Sequence, residues 1–263
     1  MDHAGVIESL KSSRKYRYLC DDTLRRIAKW AIERDSKDPV KLAKRKLDQI
    51  YGAYIGDWDP HEMFELLDSL GESPSSGKLR TVCERILESH RSSAERLPIL
   101  DDLYNSIFKI TGSPRNIVDI ACGFHPFSIP WMGLGKSTKY IAIDIDTRQV
   151  ELLNRFFRVA GINGTAMCCD VMVRAPEGHA DLVFMLKTVP NFEQQEKGFA
   201  RTLLESLDAK FIVVSFPLRS LGGRRKGMEE NYERVFESLV QGRSWRVTPV
   251  KYPREIFYVV EKE

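Results

Sequence analysis

Beyond residue 115 the sequence settles into an alternation that limits the possible folds more than any other feature. Five apolar runs of strand length occur: NIVDIA (116–121), KYIAIDI (139–145), GTAMCCD (164–170), DLVFMLK (181–187) and KFIVVSF (210–216). Between them lie segments of helical period such as RQVELLNRFFRVAG (148–161) and FEQQEKGFARTLLESL (192–207). Continuous apolar strands joined by helical crossovers predict a parallel sheet covered on both faces. SWRVTPVKY and REIFYVVEK then alternate polar with apolar residues, as an antiparallel edge pair does.

The first 110 residues read differently. Leu24, Ile27, Ala28 and Ala31 keep helical spacing, as do Ala43, Leu47, Ile50, Tyr51 and Tyr54. A short helix is expected around Met63, Phe64, Leu67 and Leu70, stopped by Gly71. ESPSSGK (72–78) reads as a connector, followed by helices over Leu79 to Ser89 and Leu97 to Ile110. Two domains are expected, a helical one over 1–110 and an α/β one over 111–263. The 263-residue chain has no apolar run of the roughly 20 residues that span a bilayer. Its first residues lack the pattern of a secretory signal, and its five cysteines form no C-x-x-C pair. A cytoplasmic, reduced monomer without metal or membrane attachment is expected. Cys168 and Cys169 read as packing residues.

Net charge is only +3, but it is segregated. Residues 11–46 hold thirteen Lys/Arg against five Asp/Glu, whereas 51–75 hold six acids and no base. The segment PLRSLGGRRKGM (217–228) has four bases and no acid. Two basic segments on one face suit a polyanion; solvated helix surface and a plain connector explain them equally well.

In an open parallel sheet, ligands sit beyond the carboxyl ends of the strands. DIACG (119–123) is the turn after the first strand, Asp144 ends the second strand and Asp170 the third. An acid about twenty residues past the glycine turn suits ribose hydroxyls, and Asp170 is placed for an adenine amino group. Both NAD and S-adenosylmethionine meet these requirements. A pyrophosphate, however, needs G-x-G-x-x-G, and ACGFHP has one glycine. The turn therefore favours the methyl donor, as does an antiparallel edge finishing a parallel sheet. A lone histidine such as His125 reads as structural. Acceptor-side residues are expected at LKTVP (186–190) and in the long segment after the fifth strand.

IACGFHPFSIPWM, VFMLKTVP, SFPLRSLGG…KGMEENY and the upstream HRSSAER (90–96) together closely resemble the aminoglycoside-resistance 16S rRNA methyltransferases, over nearly the whole chain. That family modifies N7 of a decoding-site guanine (guanine 1405) in the 30S subunit. His125 stands where asparagine is usual, and Ser93 replaces a threonine. The resemblance implies a class I S-adenosylmethionine-dependent fold and a donor site of His90, Ser93, Arg96, Asp119, Ala121, Gly123, Asp144, Ile145, Asp170, Val171 and Leu186. Arg96 would clamp the donor carboxylate, Gly123 would let the methionine part pass, and Asp170 with Val171 would frame the adenine. Lys187, Arg219 and Glu229 would work on the acceptor side. Lys41, Lys44, Arg45 and Lys46, with Arg224, Arg225 and Lys226, would meet 16S rRNA.

The lack of a Ser/His/Asp or metal constellation suits this chemistry. Guanine N7 carries an unprotonated lone pair, so alignment with the sulfonium methyl suffices. A methyltransferase aimed at adenine N1 and a non-catalytic RNA-binding module are the alternatives; the module would have no use for Asp144 and Asp170.

Overall fold

The computed structural model describes residues 2–34, 37–52, 58–218 and 228–262. The N-terminal helices are α1 (His3–Lys11), α2 (Asp21–Arg34) and α3 (Pro39–Leu47). Pro39 occupies the first turn of α3, where its missing N–H costs nothing, and the Asp38 carboxylate accepts from the Lys41 N–H at 2.9 Å. The periodic run through Tyr51 does not stay α-helical: it widens into a π-turn over Asp48–Gly52, and Tyr54 lies outside the described residues. Next come α4 (Pro60–Asp68), α5 (Ser76–Glu88), the short α6 (Arg91–Ala94) and α7 (Leu100–Thr111). The expected connector over 72–78 ends earlier than its composition suggests, because Ser75 caps α5 and SGK is already its first turn. The last helix of this half likewise opens as a 3-10 turn over Leu97–Ile99.

The α/β half runs β1 (Asn116–Ile120), a 3-10 helix over His125–Trp131, β2 (Lys139–Asp144), α8 (Thr147–Val159), β3 (Gly164–Cys168) and β4 (Ala180–Leu186). It continues through α9 (Val189–Gln195), α10 (Phe199–Ser206), β5 (Ala209–Pro217), α11 (Met228–Val240), β6 (Arg246–Lys251) and β7 (Glu255–Glu261). The stretch 192–207 is two helices, not the single expected one. Gly198 turns the chain at φ +86°, and the Glu193 carboxylate accepts from the N–H groups of Gly198 (2.8 Å) and Ala200 (3.0 Å), capping the start of α10.

The seven strands lie in the order β3-β2-β1-β4-β5-β7-β6, with β7 antiparallel to both neighbours and the other pairings parallel. Alternate residues enter opposite cores, as strand pleating requires. Ile117, Leu182, Phe184, Phe211, Val213, Phe257 and Val259 face one layer; Val118, Ile120, Val183, Met185, Ile212, Val214 and Val260 face the other. Helices α4, α5, α7 and α8 contribute to the first layer, and α9, α10 and α11 to the second. Residues 58–111 thus share a core with the sheet, while α1–α3 and the π-turn bury a cluster of their own around Leu24, Ile27, Ala43 and Leu47. By that criterion the helical half expected over 1–110 divides: the separate unit comprises α1–α3 with the π-turn, and the remaining helices are a layer of the α/β body.

Gly164 at the start of β3 lies against the buried ring of Phe157, and a Cβ there would sit 2.7–2.9 Å from three ring atoms. Gly164→Ala is expected to cost about 1–3 kcal/mol of overpacking. Thermal melts should show a drop of about 2–4 °C per kcal/mol for a chain of this size, and an unchanged melting temperature would mean that Phe157 moves aside freely.

Candidate functional site

Strand order reverses at β1, with β2 on one side and β4 on the other, and a cleft of about 1040 Å³, open solvent at its mouth included, lies beyond the carboxyl ends there. Its floor is the turn after β1. Ala121 and Gly123 adopt left-handed backbone (φ 50° and 51°), and the Cys122 N–H donates to the Ile143 carbonyl at 3.0 Å. A Cβ on Gly123 would extend toward His90, 3.6 Å from Cε1. The steric fit permits one, so glycine is favoured here by its φ and not by crowding, and Ala121 bears the same strain two residues earlier.

Asp144, at the end of β2, accepts from the N–H groups of Gly123 (2.8 Å), Ile145 (2.7 Å) and Asp146 (3.2 Å). Burial among apolar walls nevertheless pushes its carboxyl up to about 6, against the pull of those N–H groups. Asp119 is buried beneath the turn. Its Oδ2 accepts from Tyr140 Oη at 2.8 Å and is 2.8 Å from His125 Nδ1, whose Nε2 is 2.9 Å from Tyr104 Oη. His125 is therefore a buried structural residue, as its isolation in the sequence suggested.

A charged cluster occupies the other side. Arg96 is fully buried and bidentate to Glu255, with Nε and Nη2 2.7–3.1 Å from the carboxylate oxygens. Lys187 Nζ lies 2.8 Å from Glu95 and 3.2 Å from Glu255, and Ser215 Oγ donates to Glu255 at 2.5 Å. Burial raises the Glu255 carboxyl pKa, but Arg96 and Lys187 outweigh it and hold the group below its usual range. Burial and the same two cations push His90 down to about 4, so its imidazole is neutral; Nδ1 is 3.0 Å from Ser93 Oγ. Lys187 itself has left-handed backbone, φ 58°.

The N-terminal unit closes the third side. Tyr18, Leu19 and Cys20 run antiparallel to Ile145–Thr147: Cys20 N–H donates to Ile145 O and Thr147 N–H to Tyr18 O, both at 2.8 Å. Arg148 pairs with Asp146 and lies over the rings of Tyr18 and Trp58, while Tyr51 Oη donates to Asp146. Arg26, Ile50 and Tyr51 line the cleft itself.

All eleven residues expected at the donor site, His90, Ser93, Arg96, Asp119, Ala121, Gly123, Asp144, Ile145, Asp170, Val171 and Leu186, line this one cleft, and Lys187 joins them. Asp119 serves the turn from below, and Arg96 enters as half of an ion pair. Glu229 is not in the cleft: it is exposed in the first turn of α11 and pairs with Lys251 of β6. Arg219, Arg224, Arg225 and Lys226 lie outside the described residues. Lys41 and Arg45 are exposed and Lys44 half-buried on α3, whereas Lys46 is engaged, its Nζ 3.3 Å from the Gln194 carbonyl and 5.3 Å from the Trp30 ring centre. Cys169 packs in the core, and Cys168 is half-buried beside Cys20. Sequence reasoning missed Glu255, Glu95, Arg26 and Tyr51. A lone acid opening an apolar strand, in REIFYVVEK, was the available signal for Glu255.

A seven-stranded sheet of this order, with a buried acid ending β2 and a single-glycine turn after β1, is that of an S-adenosylmethionine-dependent methyltransferase. The chain belongs to the ribosomal RNA methyltransferase (FmrO) family, whose model matches residues 12–259. It is 34% identical to the 16S rRNA (guanine(1405)-N(7))-methyltransferase of Micromonospora echinospora, over 98% of this chain and 96% of that one. It is 35% identical to the protein of the same name from Frankia casuarinae, over 98% and 93%. Among solved structures, 16S rRNA methyltransferase RmtF in complex with S-adenosyl-L-homocysteine superposes with a TM-score of 0.85 at 32% identity, each chain covered in full.

If Asp144 holds the donor by accepting from two ribose hydroxyls it has to be ionised to do so, and donor binding should then weaken as pH falls through about 6. Calorimetry with S-adenosylhomocysteine should give higher affinity at pH 7.5 than at pH 5.5. Asp144→Asn should bind more weakly at the upper pH, with this part of the pH dependence removed; an equal pH profile in the variant would separate Asp144 from the donor.

Proposed function

We propose that this chain transfers a methyl group from S-adenosylmethionine to N7 of guanine 1405 of 16S rRNA within the 30S subunit, and that the modification confers aminoglycoside resistance. The observation carrying this reading is the single cleft that gathers Gly123, Asp144, Asp170, Arg96 and Lys187 at the switch in strand order, in a chain of the ribosomal RNA methyltransferase family.

The residues present fit an adenosine-bearing methyl donor. The glycine turn leaves its floor free of side chains, Asp144 offers an acceptor for ribose, and Asp170 with the Val171 backbone suits adenine. Ile143, Ile145, Val171 and Leu186 supply apolar walls. When bound, S-adenosylmethionine supplies an electrophilic methyl on a sulfonium.

The protein's own residues then have a positioning task. N7 of guanine bears no proton, so no general base is required; His90, held neutral, and the carboxylates held by Arg96 and Lys187 are not needed for that purpose. Lys187 closes the acceptor side at the end of β4, where its ammonium is fixed by Glu95 and Glu255. Arg219 and the basic segment through Lys226 are assigned to the RNA backbone near the target, and extraction of the base from its stack costs a few kcal/mol that such contacts offset. Lys41, Lys44 and Arg45 are assigned to rRNA phosphates.

Mass mapping of 16S rRNA from cells expressing the chain should find 7-methylguanosine at position 1405. Methylation of adenine N1, or of no base in the decoding region, would replace this reading. In single-turnover assays on purified 30S subunits, Lys187→Ala and Arg219→Ala should slow methylation at least tenfold, while Glu229→Gln should act less strongly, because its carboxylate pairs with Lys251.

A second experiment separates docking from catalysis. Reversing Lys41 and Arg45 to glutamate should weaken 30S binding and reduce the slope of log K against log salt by about two, with donor affinity unchanged. Lys46→Glu should disturb the cleft wall as well, because Lys46 is tied to α9.

A further inference from the structure

The Asp170 carboxylate is held from the N-terminal unit. Its Oδ1 accepts from the Met172 N–H at 2.9 Å, and its Oδ2 accepts from Thr23 Oγ1 at 2.9 Å and from Arg26 at 2.8–2.9 Å. Asp170 is nearly inaccessible, at 4% of its side-chain surface, and Arg26 is 23% exposed. The guanidinium does not stop at Asp170. Arg26 Nη2 also donates to Gln195 Oε1 at 2.8 Å, Gln195 Nε2 to Asn191 Oδ1 at 2.6 Å, and Asn191 Nδ2 to the Ile50 carbonyl at 2.7 Å. A closed polar arch thus runs from α2 across α9 and back to the π-turn, and its members Arg26, Ile50, Asp170, Asn191 and Gln195 all line the cleft.

We infer that Arg26 is a positioning residue for the nucleobase of the donor: by pinning Oδ2 of Asp170 from the N-terminal unit, it leaves Oδ1 as the acceptor that selects a 6-amino purine. A carboxylate oxygen has two lone-pair directions, and Oδ1 uses one of them on Met172. Without the guanidinium Oδ2 keeps only the Thr23 hydroxyl, and the carboxylate is free to turn about its Cβ–Cγ bond, so that Oδ1 is no longer held toward the nucleobase. A carboxylate whose oxygen is not fixed opposite the 6-position gains less from a 6-amino group and is less opposed to a 6-oxo group, so the two purines are told apart less well. Selectivity of the α/β body for its nucleoside is thereby set by a side chain of the helical unit assigned to rRNA docking. The inference rests on the reading of this cleft as the donor site.

The test is calorimetry of the full chain with S-adenosylhomocysteine and with its 6-oxo counterpart, S-inosylhomocysteine. Wild type should bind the amino form at least tenfold more tightly, the scale of a hydrogen bond to a charged group. Arg26→Ala should lose about tenfold in affinity for the amino form, and its amino-to-oxo ratio should fall toward one. Arg26→Lys keeps a cation beside Asp170 but cannot span to Gln195, so it preserves the fold and should show an intermediate ratio. A wild-type ratio in Arg26→Lys and in folded Arg26→Ala overturns the inference, and so does equal weakening of both ligands, which would make Arg26 a purely structural strut. A wild-type protein that binds neither ligand overturns the donor reading itself, and the inference with it.

Discussion

A buried guanidinium and a nearly buried ammonium at the carboxyl end of the sheet share one buried carboxylate, and the rest of the cleft is arranged around that cluster. Arg96 follows α6, Lys187 follows β4 and Glu255 opens β7, so the cluster joins the helical layer, the centre of the sheet and its antiparallel edge. A guanidinium taken out of water costs several kcal/mol unless it is paired and hydrogen-bonded. Glu255 meets that demand bidentately, and Ser215 and Lys187 occupy its remaining capacity. The antiparallel β7 is therefore more than a lid on the edge of the sheet. Its first residue delivers the counter-charge that allows two cations to stand in the wall of the cleft.

Legibility of the site in the sequence followed the range over which each interaction acts. Gly123, Asp144 and Asp170 belong to strand-turn units whose register is fixed within a few residues, so apolar runs and one glycine located them. Glu255 meets Arg96 across 159 positions and Arg26 meets Asp170 across 144; no local pattern carries such a pairing. The boundary at 110 marked a change of local grammar, from helices to strands and helices, but shared burial divides the chain earlier, because α4–α7 have no core apart from the sheet. The single helix expected over 192–207 failed for a local reason: the apolar period continues across Gly198, yet Glu193 caps a new helix there. Glu229 looked anomalous among bases, and the base that answers it, Lys251, comes from the edge strand β6.

The seat of the N-terminal unit makes docking and donor binding hard to treat as separate modules. Tyr18–Cys20 pair with the backbone immediately after Asp144, and Asp146, which caps α8, receives Tyr51 and Arg148. Cations on α3 accordingly fall into two kinds. Lys41 and Arg45 are exposed, whereas burial and the nearby Arg26 and Arg34 lower the pKa of Lys46, which reaches the α9 carbonyl.

Lys187 combines a left-handed backbone with a nearly buried, doubly paired ammonium. An L-residue with a Cβ held at φ 58° is disfavoured by about 1–2 kcal/mol, a penalty from which glycine is exempt. Backbone energetics at this position therefore favour a residue that could not supply the ammonium. Glycine here would relieve the backbone but leave Glu95 and the buried Glu255 without the ammonium they share, and removing one partner of such a buried pair costs about 3–5 kcal/mol, more than the strain relieved. The end of β4 is a point where backbone conformation and the charge balance of the cleft wall select opposite side chains, and the charge balance prevails.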